Sequence, residues 1–308
     1  MKECIGIDLG SNSLRGVRMN EEYQVLCEYE EVVRTSEGLE ESGEICKNAL
    51  ERIIAGLERM KKELRVTPKD KIVALTTQAM RQAKNNQEIL KAIEIASGIC
   101  FKIIKGDEEA YITSLAPQIA IENLQKTNPK YKQDCYVLVD MGGASSEFIF
   151  CTKEGIFAKS FEIGIVKAKD KYKSIENLLK CKDEVLAPIQ KFIEENQKQG
   201  RKAKFLVANS GTPTMVCAFK MGLKQYDSKK VFGETLHRVD FRDELERFLS
   251  LSYKERENLV GVFRADVVPF GIVLFLLFME ILDFQECLIL DEGVREGAAI
   301  LGILDKQI

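Results

Sequence analysis

The stretch Ile5-Gly6-Ile7-Asp8-Leu9-Gly10-Ser11-Asn12-Ser13 returns in altered form as Val137-Leu138-Val139-Asp140-Met141-Gly142-Gly143-Ala144-Ser145. Each copy reads as an apolar strand, an Asp, a Gly/Ser-rich turn and a second apolar strand, at 14–19 and 146–151. Glycine and small polar residues let successive backbone N–H groups converge on an anion, and the Asp at the corner is able to reach a cation. One such corner is equally well a plain β-hairpin turn, where Asp, Gly, Asn and Ser are all common. Two of them, one per half, predict a duplicated α/β chain that grips a phosphate chain and its metal.

The order of elements supports the duplication. Strands at 3–9, 14–19 and 24–33 precede a helix over 41–64, in which Ile45, Ala49, Ile53 and Leu57 share one face. A strand at 71–76, a helix through Ile89, Ala92, Ile93 and Ala96, a strand at 101–104 and a helix from Asp107 follow. Residues 122–133 are polar, contain Pro129 and read as a connector. Strands at 134–140, 146–152 and 155–163 then repeat the pattern. A strand at 204–208, a turn at Ser210-Gly211-Thr212, an apolar helix over 264–282, a strand at 287–290 and a helix over 293–304 complete it. The expectation is two β-β-β-α-β-α-β-α domains, 1–121 and 122–292, facing a cleft, with the terminal helix 293–308 joined to the first. Ligands of such sheets sit beyond the carboxyl ends of the strands, which groups Asp8, Thr76, Thr77, Lys105, Gly106, Asp140 and Ser210 by topology.

Composition removes several classes of function. A net charge of −3 with interspersed signs offers no basic face for nucleic acid. The longest apolar run, 267–279, is interrupted by Pro269 and Gly271 and falls short of the ~20 residues a membrane span needs. The single His237 cannot build a multi-histidine metal site. Nine scattered cysteines without a C-x-x-C pair, and an N-terminus running straight into the first strand, predict reduced thiols and a cytoplasmic protein.

Four segments carry chemistry. In the second corner Glu147 stands where the first has Arg15, so Asp140 and Glu147 face each other across the turn and suit a hard, oxygen-seeking cation such as Mg²⁺. The segment from Thr76 to Asn85 passes from a strand end into a helix, where Arg81 is either a phosphate clamp or an ordinary surface Arg. Lys105-Gly106-Asp107-Glu108-Glu109-Ala110 does the same. Its acids are either dipole-favoured helix-start residues or a base that positions water. The basic run Lys167, Lys169, Lys171 and Lys173 reads as a solvated helix face, with a polyphosphate-guiding track as the minority reading. Residues 224–260 show no motif.

In order along the chain stand I-D-L-G-S-N-S at 7–13, T-x-A-M-R-x-A-x-N at 77–85, G-D-E-E-A at 106–110 and D-M-G-G-A-S-S-E at 140–147. S-G-T at 210–212, R-A-D-V-V-P-F-G at 264–271 and G-V-R-E-G at 293–297 follow. The set resembles the exopolyphosphatase / guanosine pentaphosphate phosphohydrolase (Ppx/GppA) family of the actin–Hsp70–sugar kinase superfamily. The resemblance implies two actin-like (ribonuclease H-like) domains. It also implies hydrolysis of terminal phosphoanhydride bonds of inorganic polyphosphate or guanosine pentaphosphate, with Mg²⁺ or another divalent cation, and a possible homodimer. On it, Glu109, or its neighbour Glu108, activates water, and Arg81 clamps phosphate. Asp140 and Glu147 bind metal, with Asp8 a further acid. Gly10, Ser11, Asn12, Ser13, Arg15, Gly142, Gly143, Ala144, Ser145, Gly211 and Thr212 cradle phosphate.

The chain departs from the pattern at Ala144, where a third glycine is usual, at Ser146 in place of Thr, and at Pro213, which removes an N–H. It also lacks the C-terminal helical module of longer relatives. Two other readings stay open: an ATPase or phosphotransferase of the same superfamily, and a non-catalytic sensor of polyphosphate or an alarmone.

Overall fold

The computed structural model describes residues 2–261 and 264–306. Two units separate: Met1–Gln118 with Glu292–Ile308, and Ile119–Asp291.

The first unit is built on β1 (Glu3–Leu9), β2 (Ser13–Asn20) and β3 (Val25–Val32), an antiparallel meander. Helices α1 (Leu39–Ser42) and α2 (Lys47–Glu63) lead to β4 (Ile72–Thr76), and α3 (Gln78–Gln82) and α4 (Asn86–Ser97) to β5 (Phe101–Ile103). The sheet order is β3-β2-β1-β4-β5, with β4 parallel to β1 and to β5. Being central, β1 is covered on both faces and therefore reads as almost unbroken apolar sequence. Its odd-numbered residues Ile5, Ile7 and Leu9 join Ala49, Ile53, Leu57, Ile89 and Ile93 of α2 and α4 in one core. The opposite face of the sheet meets α5 (Gly106–Thr127) and α14 (Val294–Ile303), where Leu75, Ile104, Ile112, Val294, Ala298 and Leu301 cluster. Gly6 lies under α14. A Cβ there would sit 1.9 Å from the Arg295 carbonyl oxygen. Strand side chains alternate faces, so Asp8 shares the α14 side with Gly6.

Two sequence expectations are corrected. The helix expected over 41–64 is broken, because Gly43 adopts the left-handed conformation (φ 73°) and ends α1. The connector expected at 122–133 is mostly helix, since α5 continues to Thr127 with Ala120 and Ile121 buried. It stops just ahead of Pro129, which disfavours helical backbone in the residue before it. The division between units falls inside this helix.

The second unit repeats the scheme. Strands β6 (Cys135–Met141), β7 (Ser146–Thr152) and β8 (Gly155–Phe161) form the meander. Helices α6 (Ile165–Tyr172), α7 (Ile175–Lys180) and α8 (Lys182–Lys198) precede β9 (Leu206–Asn209), which is parallel to β6. Next comes α9 (Gly211–Lys220), and then α10 (Ser228–Val231), β10 (Thr235–His237), α11 (Arg238–Ser250) and α12 (Tyr253–Val260), which occupy the stretch without a motif. The apolar α13 (Val268–Ile281) precedes β11 (Glu286–Leu290). Sheet order is β10-β11-β9-β6-β7-β8, the same arrangement with one added edge strand. Both units thus have the actin-like α/β topology. Phe148 anchors the core edge-on to Phe161 and Phe278, at 5.7 and 5.0 Å between ring centroids. Among the described residues no helix is long and apolar enough to cross a membrane.

Candidate active site

The two corners are built alike. In the first, Gly10 N–H donates to Ser13 O at 2.9 Å and closes the turn. The carbonyl of Asn12 accepts from Val33 and Arg34 N–H at 2.9 and 2.8 Å, and that of Ser11 from Ser36 N–H at 3.0 Å. In the second, Gly142 N–H closes onto Ser145 O at 2.9 Å. Gly142 O then accepts from Ile165 N–H at 3.0 Å, and Gly143 O from Val166 and Lys167 N–H at 2.8 and 3.1 Å. In both units the segment after the third strand occupies the turn carbonyls. The amides of Ser11, Asn12, Gly143 and Ala144 have no hydrogen-bond partner among the described residues. The second turn lies so close to Gly164 that a Cβ there would be 2.5 Å from Ala144 N. The Ala144 methyl is buried within the protein.

The acids divide by environment. Asp140 lies directly opposite Glu147 in the β6–β7 ladder, as Asp8 lies opposite Arg15 in β1–β2. Directly paired residues have Cβ atoms about 5 Å apart, so the two side chains leave neighbouring positions on one face of the sheet. Glu147 is buried and accepts from Ser160 Oγ at 2.7 Å. Asp8 is half-buried as a residue, yet its Oδ1 is closed off from solvent and has no hydrogen-bond partner among the described residues. Burial pushes its carboxyl up to about 7 against the pull of Arg15, and Glu109 and Glu296 add to the rise. Among the described residues no three His, Cys, Asp or Glu side chains are grouped to hold a metal. Mg²⁺ needs no such cage, since one or two carboxylates, substrate phosphates and water complete its shell. Within the second unit Asp140 and Glu147 are hard donors that fit this ion; Asp8, in the first unit, is a hard donor of its own.

That burial predicts a pH-dependent stability. The folded carboxyl is pushed up to about 7, above its ordinary value of 3.8. Well below pH 4 it is protonated whether the chain is folded or not and costs nothing; between about 4 and 7 the unfolded chain sheds a proton that the folded chain keeps, so stability falls as pH rises to 7. Asp8→Asn should therefore stabilise the metal-free protein by about 1–2 kcal/mol at pH 8, allowing for the partial exposure of Asp8. Near pH 4 its melting temperature should match that of the unaltered chain. Equal shifts at both pH values would contradict the assignment.

Glu109 and Glu108 are adjacent but differ in kind. Glu108 accepts from Lys105 N–H at 2.7 Å and caps the start of α5. Glu109 is 6% exposed and accepts from Arg81 Nη1 at 2.7 Å. Burial raises its pKa, while Arg81 and the Thr77 side chain oppose the rise. Arg81 also donates to Ile104 O at 2.6 Å and to Gln78 Oε1 at 3.0 and 2.6 Å. Its guanidinium is thus held against Glu109 by four hydrogen bonds. Gln78, which fixes that guanidinium, occupies a position the T-x-A-M-R motif leaves unspecified, so nothing in the sequence pointed to it. Arg295 and Glu296 escaped notice as well. Glu296 takes Gly293 N–H at 2.7 Å and Arg295 Nε at 2.5 Å, and Arg295 reaches Glu28 at 2.8 Å. Both act electrostatically on Asp8.

Gly211 and Thr212 are not a free turn but the first residues of α9. Thr212 packs against Gly271, where a Cβ would lie 2.4 Å from its Oγ1. The Lys167–Lys173 run lies on and just after α6, with Lys167 paired to Glu162 at 3.1 Å and Lys169 to Asp266 at 2.5 Å.

Comparison with known proteins agrees with this layout. A model of the Ppx/GppA phosphatase family matches residues 17–307. A guanosine-5'-triphosphate,3'-diphosphate pyrophosphatase of Photobacterium profundum is 25% identical over 308 residues, covering 94% of this chain and 57% of its own length. The chain therefore spans little more than half of that relative. A Haemophilus influenzae relative, 24% identical, is matched over 96% of this chain and 90% of its own. The fold is shared with the crystal structure of an exopolyphosphatase from Cytophaga hutchinsonii, with a TM-score of 0.82, 21% identity and 99% of each chain covered. The family model covers nearly the whole chain, and this chain belongs to the Ppx/GppA phosphatase family.

Proposed function

We propose that the chain hydrolyses terminal phosphoanhydride bonds of inorganic polyphosphate or guanosine pentaphosphate and releases orthophosphate. The observation that carries this reading is the buried Glu109, held by Arg81 in the same unit as the Asp8 corner. Glu109 accepts a proton from water as the water oxygen bonds to phosphorus and the bridging P–O bond breaks, its electron pair staying with the shortened chain. Arg81, itself fixed by Gln78, orients the Glu109 carboxylate. In each unit the turn amides, those of Ser11 and Asn12 in the first and of Gly143 and Ala144 in the second, are suited to phosphoryl oxygens, so most of the catalysis is positioning and charge stabilisation. Asp140 and Glu147 would hold Mg²⁺. When bound, the ion supplies positive charge to the phosphoryl oxygens.

Release of orthophosphate from polyphosphate, guanosine pentaphosphate and ATP, with and without Mg²⁺, tests the reading. Mg²⁺-dependent release from one of the first two, well above that from ATP, is expected. Release confined to ATP would support the ATPase alternative. Tight binding without release over hours would make the protein a sensor.

A further inference from the structure

Gln78 is the first residue of α3 and stands just beyond the carboxyl end of β4. The residue is 6% exposed. Its Oε1 accepts from Arg81 twice, from Nε at 3.0 Å and from Nη2 at 2.6 Å. A guanidinium carries only N–H donors, so the oxygen end of the amide is the end that faces it. The side chain is therefore fixed in orientation, with its –NH₂ end turned away from Arg81.

That end is unmet. Nε2 has no hydrogen-bond partner among the described residues, yet, unlike Asp8 Oδ1, it is not closed off from solvent. Holding Arg81 calls only for an acceptor, which leaves the donor half of Gln78 unexplained. Strand β4 runs parallel to β1 with Thr76 opposite Leu9, and Thr76 Oγ1 donates to Leu9 O at 2.8 Å. Gln78 thus leaves the sheet beside the Gly10–Ser13 turn, one strand spacing (about 5 Å) to the side. In that turn the amides of Ser11 and Asn12 lack protein partners. A single guanidinium separates Gln78 Oε1 from the Glu109 carboxylate, which the Thr77 side chain also engages. The turn, Gln78 and Glu109 all belong to the first unit.

We infer that Gln78 Nε2 donates to a phosphoryl oxygen of the substrate while Oε1 holds Arg81. One side chain then contacts the substrate and also fixes the group that orients the base. The inference rests on the proposed function and adds a substrate contact at the position the T-x-A-M-R motif leaves open. An amide suits both tasks. A carboxylate would hold Arg81 but repel phosphate, and an apolar side chain would do neither.

Binding of inorganic tripolyphosphate, measured by calorimetry in EDTA and again in Mg²⁺, separates a contact from a mere tether. A tether acts on turnover, through Arg81 and Glu109, whereas a contact acts on affinity. Gln78→Met and Gln78→Glu should each weaken binding roughly tenfold or more, the second although it keeps an acceptor for Arg81. Affinity within twofold of the unaltered chain in both variants would reduce Gln78 to a tether and overturn the contact. Absence of tripolyphosphate binding by the unaltered chain in either buffer overturns it as well. Binding that depends on Gln78 without any release of phosphate supports the contact and removes only the hydrolase reading.

Discussion

Glu109→Gln is expected to lower kcat by roughly a hundred- to ten-thousand-fold while leaving substrate affinity nearly intact. The amide matches the carboxylate in size, so Arg81 and the first turn of α5 keep their places, but it cannot take a proton from water. A loss confined to kcat marks a group that acts in the transition state alone. Burial raises the Glu109 pKa, and the working form is the unprotonated one. The rate should therefore fall on the acid side at a pH above the ordinary range of a glutamate. Replacing Arg81 by Met removes the opposing cation and should move that limb higher still. A Gln variant that releases phosphate within twofold of the unaltered rate would dismiss Glu109 as the base and return the question to Glu108.

The largest expected effect on stability comes from Gly6→Ala. The new Cβ would lie 1.9 Å from Arg295 O and 2.7 Å from Ala299 N. Both are backbone atoms, so no side chain is able to swing away. Helix α14 must lift from β1, or the strand must shift. Either movement breaks into the cluster of Leu75, Ile112, Val294 and Ala298 and disturbs Asp8, two residues along the same face. Destabilisation of about 3 kcal/mol or more is expected, at the upper end of what overpacking causes. Denaturant unfolding measures it. A Gly6→Ala chain as stable as the parent would mean that α14 packs elsewhere.

The sequence revealed most where local chemistry and tertiary context agree. The corners were legible because an apolar run, an Asp and a Gly/Ser turn specify a hairpin without help from distant residues, and because the pattern recurs. The break at Gly43 was not, because Ile45 continues the apolar helical spacing that α2 displays and periodicity overrode the glycine. Residues 122–127 looked like a loop because they are polar, whereas helix α5 tolerates polar residues on its solvent side. The hidden parts of the site are long-range pairings. Arg295 meets Glu28 and α14 meets Gly6 only after the sheet has formed, and spacing along the chain carries no trace of either. Arg81 illustrates the limit well. A basic residue one turn into a helix suggests an anion outside the protein, and the structure gives it the anion inside, Glu109.

The first unit is assembled from both ends of the chain, with all of the second unit between them. During synthesis the continuous stretch Ile119–Asp291 leaves the ribosome with its sheet complete while α14 does not yet exist. Until that helix arrives, the Gly6–Asp8 face of β1 stays open to water and the Asp8 carboxyl remains an ordinary solvated acid. Its raised proton affinity is acquired when α14 docks, so the site matures only after the whole second unit has been made.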